Sequence, residues 1–454
     1  MIRRAAAWLE TPRGLLCLFF VGLAVRLVLA RISEGLWFDV TLFRAWSNRL
    51  AQSGPAGFYT APSQYVVDYP PGYLYVLLAL GRASRALLGQ PPSVLLLKLP
   101  AIVADLLVAA LAMLLAARLA RPDASRRIPV RAMAATAILF NPGLLLVSAV
   151  WGQVDSVLAL LVLASVYVLA GPPTIVREGC AAALLAVAAT TKAQVVFALP
   201  VVAVFLFWRH KSDRRSAATR FALMIGLAAT IMFVMFIPFG VGPAGIARVY
   251  RPAGTLYPFT SLWAFNVWGA VGFYRPDLGL EAVKLGGISA FYIGVTAFAA
   301  MTIGIAARSW TSLKEGVDAE AVLLLGAAAV TCAAFALLTR MHERYLYLAV
   351  AALAPFVADR RFRWAIAILS TCYFMNVHFV YVFYSHHSVP PGSAWTIQTL
   401  YDAVFGTTQD APELKFLSIS TAAVCLGVAA LSWEWLSGRA RLRQPVLTVA
   451  EGIG

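Results

Sequence analysis

The sequence predicts an all-α polytopic membrane protein built as one domain over residues 1–454. Three observations carry that expectation. Of the 454 residues, 61% are hydrophobic and only 13% charged, too few polar groups to cover one ordinary soluble core. Mean hydropathy is +0.78. The apolar residues also gather in runs of about 20, the length a helix needs to cross a bilayer.

Such runs fall near residues 14–32, 93–118, 131–150, 154–170, 179–191, 194–208, 221–239, 281–307, 320–338, 345–358, 364–384 and 414–436, which makes about twelve crossings. The first follows Arg3, Arg4 and Arg13 with no small-residue cleavage signal, so it reads as a retained span. The pair at 179–191 and 194–208 is short and hinges at Thr190, Thr191 and Lys192, a pattern tolerated where a broken helix lines a cavity.

The stretch from Pro71 to residue 92 is apolar as well. Counting it as a crossing would send Arg126/Arg127, Arg209 to Arg220 and Arg360 to Arg363 to the outside, against the positive-inside rule. Kept as an external interfacial helix, it leaves those clusters, Arg308/Lys314, Arg439/Arg441/Arg443 and both termini on the cytoplasmic side. The external segments are then 33–92, 151–153, 240–280, 339–344 and 385–413, and most of the distinctive polar residues lie in them. Alanine- and arginine-rich usage points to a bacterial plasma (inner) membrane.

The net charge is +16, but the basic residues cluster between spans and nowhere alternate with aromatics, so they report orientation and not a nucleic-acid surface. Cys17, Cys180, Cys332, Cys372 and Cys425 sit inside apolar runs without CxxC or Cys/His spacing, which excludes a disulfide framework and a zinc site. The adjacent His386 and His387 are poor metal geometry without further ligands. No metal ligand set is expected.

Arg340, Met341, His342, Glu343, Arg344 and Tyr345 crowd four ionisable side chains between two apolar runs. Charge at such a place costs about 3 kcal/mol on insertion scales when isolated, so the cluster marks an interface or cavity for a polar ligand. Arg340, His342 and Arg344 suit a phosphate, which guanidinium binds bidentately. Arg251 in the central loop is an unexpected external charge and suits either the same phosphate or lipid headgroups.

In the first loop Phe38, Leu42, Trp46 and Leu50 recur every four residues, describing a short amphipathic surface helix. Asp39 falls in its first turn, where it either caps the helix or acts chemically. Asp68 and Tyr69 precede Pro70 and Pro71, which set the start of a second surface helix; Asp68 is its cap or a ligand for hydroxyls. Trp151, Gly152, Gln153, Val154 and Asp155 form a tight turn whose tryptophan suits an aromatic belt and whose Gln153 and Asp155 suit sugar hydroxyls.

In this order the motifs resemble the C-type glycosyltransferase superfamily (GT-C), membrane enzymes that use polyprenyl-phosphate sugars. Asp39 with Arg44 and Trp46, Asp68 to Pro71, and His342, Glu343 and Arg344 resemble elements of the dolichyl-phosphate-glucose-dependent glucosyltransferases of N-glycan assembly. The Trp151 to Asp155 turn, Lys192 with Gln194, and Arg344–Tyr345 look more like bacterial mannosyltransferase-type members. Tyr257, Pro258 and Phe259 resemble a Tyr/Phe-Pro-Phe element. The chain departs in having Thr260, Ser261 and Leu262 where the eukaryotic enzymes carry an Arg-Gly and Glu-Asp-Lys stretch.

The resemblance implies a GT-C-like fold, with two interfacial helices in the first external loop, and an inverting hexosyl transfer to an acceptor hydroxyl, mannose or glucose being favoured. Asp39 would be the general base; Arg340, His342, Arg344 and Arg251 would hold the donor phosphate. Asp68, Tyr69, Gln153, Asp155, Lys192 and Glu343 would bind sugar or acceptor. Because the leaving group is already a phosphate, no acid must protonate it and no metal cofactor is required. The partners are then a polyprenyl-phosphate-linked sugar, a glycan, lipid-linked or protein acceptor, and membrane lipids. A lipid-linked sugar flippase or secondary transporter is the alternative, but transporters place charge at the midplane between repeated halves, and no repeat is visible here.

Overall fold

The computed structural model describes residues 7–60, 67–120, 128–386 and 401–438. The described residues are mostly helical. Helix α1 (Pro12–Ile32) starts at Thr11, whose hydroxyl oxygen accepts from the Gly14 amide, with Pro12 supplying a first position that needs no donor. Its Leu16, Phe20, Val28 and Ile32 are exposed, as expected of a face turned to lipid.

The first loop folds as two helices, α2 (Trp37–Ser53) and α3 (Pro71–Leu88), which pack on each other. Leu42, Phe43, Trp46 and Leu50 meet Tyr73, Leu74 and Leu77, and the Ser47 hydroxyl donates to the Leu77 carbonyl at 2.7 Å. The predicted stripe is therefore three-quarters right. Phe38 is exposed and Phe43 takes its place, because the helix turns its buried face towards α3.

After α4 (Val94–Leu119), the predicted span 131–150 is broken into α5 (Val130–Leu139) and α6 (Pro142–Leu145), with a bend of 43° between the two halves. Asn141 makes the break, its side-chain oxygen capping the amides of Gly143 and Leu144 ahead of Pro142. α6 runs into one turn of π-helix, Leu146–Trp151. Gly152, at φ 95°, ends it so that the amides of Gly152 and Gln153 both donate to the Val147 carbonyl. Single π-turns of this kind commonly occur at functional sites.

Then come α7 (Asp155–Leu169) and α8 (Ile175–Thr191), which stops at Lys192 in extended conformation before a 3-10 turn (Ala193–Phe197) leads into α9 (Leu199–Arg209). The hinge expected at residues 190–192 is present. α10 (Arg214–Phe236), α11 (Pro243–Thr255) and α12 (Val267–Val271) follow. The span predicted at 281–307 begins only at α13 (Ala290–Lys314); ahead of it lies a two-stranded hairpin, β1 (Lys284–Leu285) with β2 (Ile288–Ser289), turned by Gly286–Gly287.

α14 (Ala319–Leu337) is apolar all round and almost completely buried, the signature of a helix surrounded by others. α15 (Tyr347–Leu353), α16 (Arg360–His386) and α17 (Pro412–Leu436) close the core, with α17 and α13 packed against α14. The His386–His387 pair and most of the late loop at 385–413 lie outside the described side chains.

Among the described residues seven helices are long and apolar enough to span a membrane, eight if the bent pair counts as one. The chain is thus a multi-pass membrane protein, but the expected twelve crossings are not met on length. Asp155–Leu169, Leu199–Arg209 and Tyr347–Phe356 are apolar yet short, and 15 residues rise only about 22 Å against a hydrocarbon core of about 30 Å. α3, read from sequence as interfacial, is not among the spans.

A Cβ on Gly72 would come 2.6 Å from the Thr190 carbonyl oxygen, so α3 approaches the end of α8 at backbone distance. Gly72→Ala should therefore lower the detergent-solubilised melting temperature, as overpacking costs about 1–3 kcal/mol. An unchanged melting curve would contradict that close approach.

Candidate active site

Where α3 begins, α8 breaks and the 339–345 stretch crosses, a cavity of about 250 Å³ opens; its polar lining includes Asp68, Tyr69, Lys192, Gln194, His342 and Arg344. The extended backbone at Lys192 ends α8 and turns its side chain inward. There its ammonium donates to Asp155 Oδ2 at 3.0 Å and Gln153 Oε1 at 3.4 Å, while the Tyr69 hydroxyl donates to the same Gln153 oxygen at 3.1 Å. Tyr69, Gln153, Asp155 and Lys192, predicted as ligands of sugar or acceptor, are thus brought together, and they bind one another.

The 339–345 stretch is held by backbone pairing to the 257–263 loop. The Arg340 amide donates to the Phe259 carbonyl and the Leu262 amide to the Met341 carbonyl, both at 3.0 Å. Asn376 fixes the far side, donating to the Trp263 carbonyl and accepting from the Phe265 amide. Among the described residues three non-glycine residues have left-handed φ, namely Trp263, Tyr274 and Arg340, and all belong to this assembly. Such costly backbone persists only where its surroundings enforce it, and it gathers at functional sites.

Two predicted phosphate ligands are placed otherwise than expected. Arg340 lines the cavity, but its guanidinium makes a bidentate pair with the buried Asp277 at 2.8 and 2.9 Å and lies over the Phe291 ring. Arg251 is exposed near the end of α11 and is not part of the lining; the phase of that helix presents Val249 and Tyr250 inward instead. Asp277 carried no signal in the sequence. Its partner lies 63 residues away.

His342 and Arg344 face the cavity. Arg344 Nη1 donates to Glu343 Oε1 at 2.7 Å, and Nε lies 3.9 Å from Asp155 Oδ2, beyond hydrogen-bond reach. Burial works against the Arg344 charge, and Glu343, then Asp39 and Asp155, more than restore it. Burial likewise opposes ionisation of Glu343, yet Arg344 and then His342 hold its carboxyl down to about 2. Burial, then Arg344, lowers His342 from its ordinary value, which disfavours the charged ring. Asp68 moves the other way, raised chiefly by burial. Asp68 Oδ1 and Gln194 Oε1 are buried and accept no hydrogen bond.

Asp39, half-buried, is not on the cavity wall. Its Oδ2 accepts from Trp151 Nε1 at 2.7 Å, and the Arg344 guanidinium lies 5.9 Å from a Trp151 ring centre. The tryptophan read from sequence as an interface anchor is fully buried and neighbours both the base candidate and the guanidinium candidate. Among the described residues no group of three His, Cys, Asp or Glu side chains converges as a metal site.

The Glu343 shift fixes a sign. Its folded carboxyl stays ionised below the unfolded value of 4.5, so its contribution to stability is full above about pH 4.5 and fades as pH falls towards 2. Glu343→Gln should lower the melting temperature at pH 7 and flatten its decline between pH 5 and 3. Parallel curves for variant and parent would show that Glu343 is not held by this pair.

The family model described as "ALG6, ALG8 glycosyltransferase family" matches residues 37–358, which contain every site residue expected from the sequence. No curated protein matches the chain significantly. Two solved structures of ArnT from Cupriavidus metallidurans are similar to it. The apo state shares 17% identity over 94% of this chain and 78% of that one, with a TM-score of 0.47. The form bound to undecaprenyl phosphate shares 16% over 95% and 79%, with a TM-score of 0.49. The family match spans most of the chain and bears out the resemblance seen in its motifs: this protein belongs to the ALG6, ALG8 glycosyltransferase family.

Proposed function

We propose that the chain moves a hexose, mannose or glucose, from a polyprenyl-phosphate donor to an acceptor hydroxyl on the external face of a bacterial inner membrane, with both termini cytoplasmic. The observation that carries this reading is the approach of Asp39 and Arg344 to one residue, Trp151: the carboxylate accepts from its Nε1, and the buried guanidinium lies 5.9 Å from its ring centre. A base and an anion holder gathered about one side chain suit a reaction at one small glycosyl group.

On this reading the acceptor oxygen attacks the anomeric carbon as the bond from that carbon to the phosphate oxygen breaks, inverting the centre. The acceptor proton goes to Asp39, and the phosphate leaves with the electron pair. Arg344, with neutral His342 as a donor, meets the charge that grows on it. Glu343 orients Arg344, and Arg340 serves by fixing the stretch through Asp277. The unpartnered acceptors Asp68 Oδ1 and Gln194 Oε1 suit sugar hydroxyls, since a buried acceptor left unpaired costs about 1–3 kcal/mol. Tyr69, Gln153, Asp155 and Lys192 support that wall. The scheme runs on side chains and needs no metal.

Asp39→Asn should cut turnover of a polyprenyl-phosphate sugar by about 10²- to 10⁴-fold, measured with detergent-purified protein; unchanged turnover removes Asp39 as base. Arg344→Ala should weaken donor binding by about 1.5–3 kcal/mol, the worth of a hydrogen bond to a charged group. Parental donor affinity in that variant would exclude the phosphate role.

A further inference from the structure

Away from the cavity, α1 and α4 carry a fully buried ion pair inside two candidate spans. Arg26 Nε donates to Asp105 Oδ2 at 2.7 Å, Nη1 donates to the carbonyls of Leu139 (2.6 Å) and Gly22 (3.3 Å), and Nη2 to that of Ile138 (3.2 Å). Arg26 therefore satisfies the carbonyls freed where α5 ends. Ionisable residues inside a membrane are expensive and retained for a use.

The use shows on the Asp105 side. Besides Arg26, Asp105 Oδ2 accepts from the Ser148 hydroxyl at 2.5 Å, and Oδ1 accepts from the Tyr347 hydroxyl. Ser148 lies in the π-turn that ends at Trp151, the residue that donates to Asp39. Tyr347 opens α15, and its amide donates to the Arg344 carbonyl at 3.2 Å. One carboxylate thus grips, by separate oxygens, the segment that orients the proposed base and the segment that carries the proposed phosphate holder.

We propose that Asp105 is a positioning residue that sets the spacing between Asp39 and Arg344 through two independent arms, Ser148 to Trp151 and Tyr347 to Arg344. Neither arm touches substrate. Arg26 supplies the countercharge to the buried carboxylate, which accepts from both hydroxyls at once. The inference rests on the roles given above to Asp39 and Arg344.

Removing Asp105 would strand Arg26 and risks losing the fold, so the test uses Ser148→Ala and Tyr347→Phe, which leave the ion pair intact. The full chain in detergent is assayed for turnover of polyprenyl-phosphate mannose and glucose and, separately, for binding of polyprenyl phosphate alone. Each lost hydrogen bond is expected to cost roughly 2- to 10-fold. Ser148→Ala should take that loss in kcat with polyprenyl-phosphate affinity unchanged, and should add nothing in an Asp39→Asn background. Tyr347→Phe should take it in affinity, and should add nothing in an Arg344→Ala background.

Equal losses in both parameters, losses that add in the double variants, or no loss in either variant would overturn the proposal. A parent chain that neither binds polyprenyl phosphate nor turns over either donor would instead overturn the underlying function.

Discussion

The structure depends on keeping the Arg344 guanidinium charged in a corner largely closed to water. Withdrawing such a group from solvent carries an effective cost of several kcal/mol, repaid only by good geometry and paired partners. Glu343 supplies the direct bond, while Asp155 and Asp39 supply field from further away. The arrangement leaves Nε without a hydrogen-bond acceptor, so the guanidinium is balanced in charge but not saturated in donors. A group so placed is ready for an anion in a way that Arg340, locked bidentately on Asp277, is not.

Around this charge the chain uses backbone pairing where most membrane helical proteins use helix contacts. The 257–263 loop and the 339–345 stretch form a small patch of extended pairing, anchored by Asn376 and Asp277, on top of the apolar α14. The strained φ values at Trp263 and Arg340 lie within it, and Tyr274, the third, joins it through its amide, which donates to the Ser261 carbonyl at 3.1 Å, so rigidity here comes from hydrogen bonds that over-determine the backbone. The break at Lys192 extends the same principle to α8, turning an ammonium into the wall that Gln153 and Asp155 share.

Much of this was legible in the sequence. The run from Arg340 to Tyr345 stood out because charge is rare in so apolar a chain, and Asp39 stood out through the Arg44 and Trp46 that follow it. The break in α8 followed from two threonines and a lysine inside an apolar run. Other features depend on contacts far apart in the chain. The engagement of Arg340 needed Asp277, and the exposure of Arg251 followed from the phase of a helix whose apolar face packs on the end of α10. Phe38 and Phe43 exchanged roles because α3 fixes which side of α2 is covered. The hairpin at Gly286–Gly287 was readable from its turn, and Arg26 and Asp105 were readable as charges within spans; both were overshadowed by the longer apolar runs around them.

The shortness of α7, α9 and α15 has a mechanical meaning for the surrounding lipid. Even α7, the longest of the three, rises only about 22 Å, short of the hydrocarbon thickness, and the peptide groups opened at Lys192 need polar surroundings. Such a break is tolerated at membrane depth only where it is buried in protein or lines a cavity, and the Lys192 side chain meets both conditions.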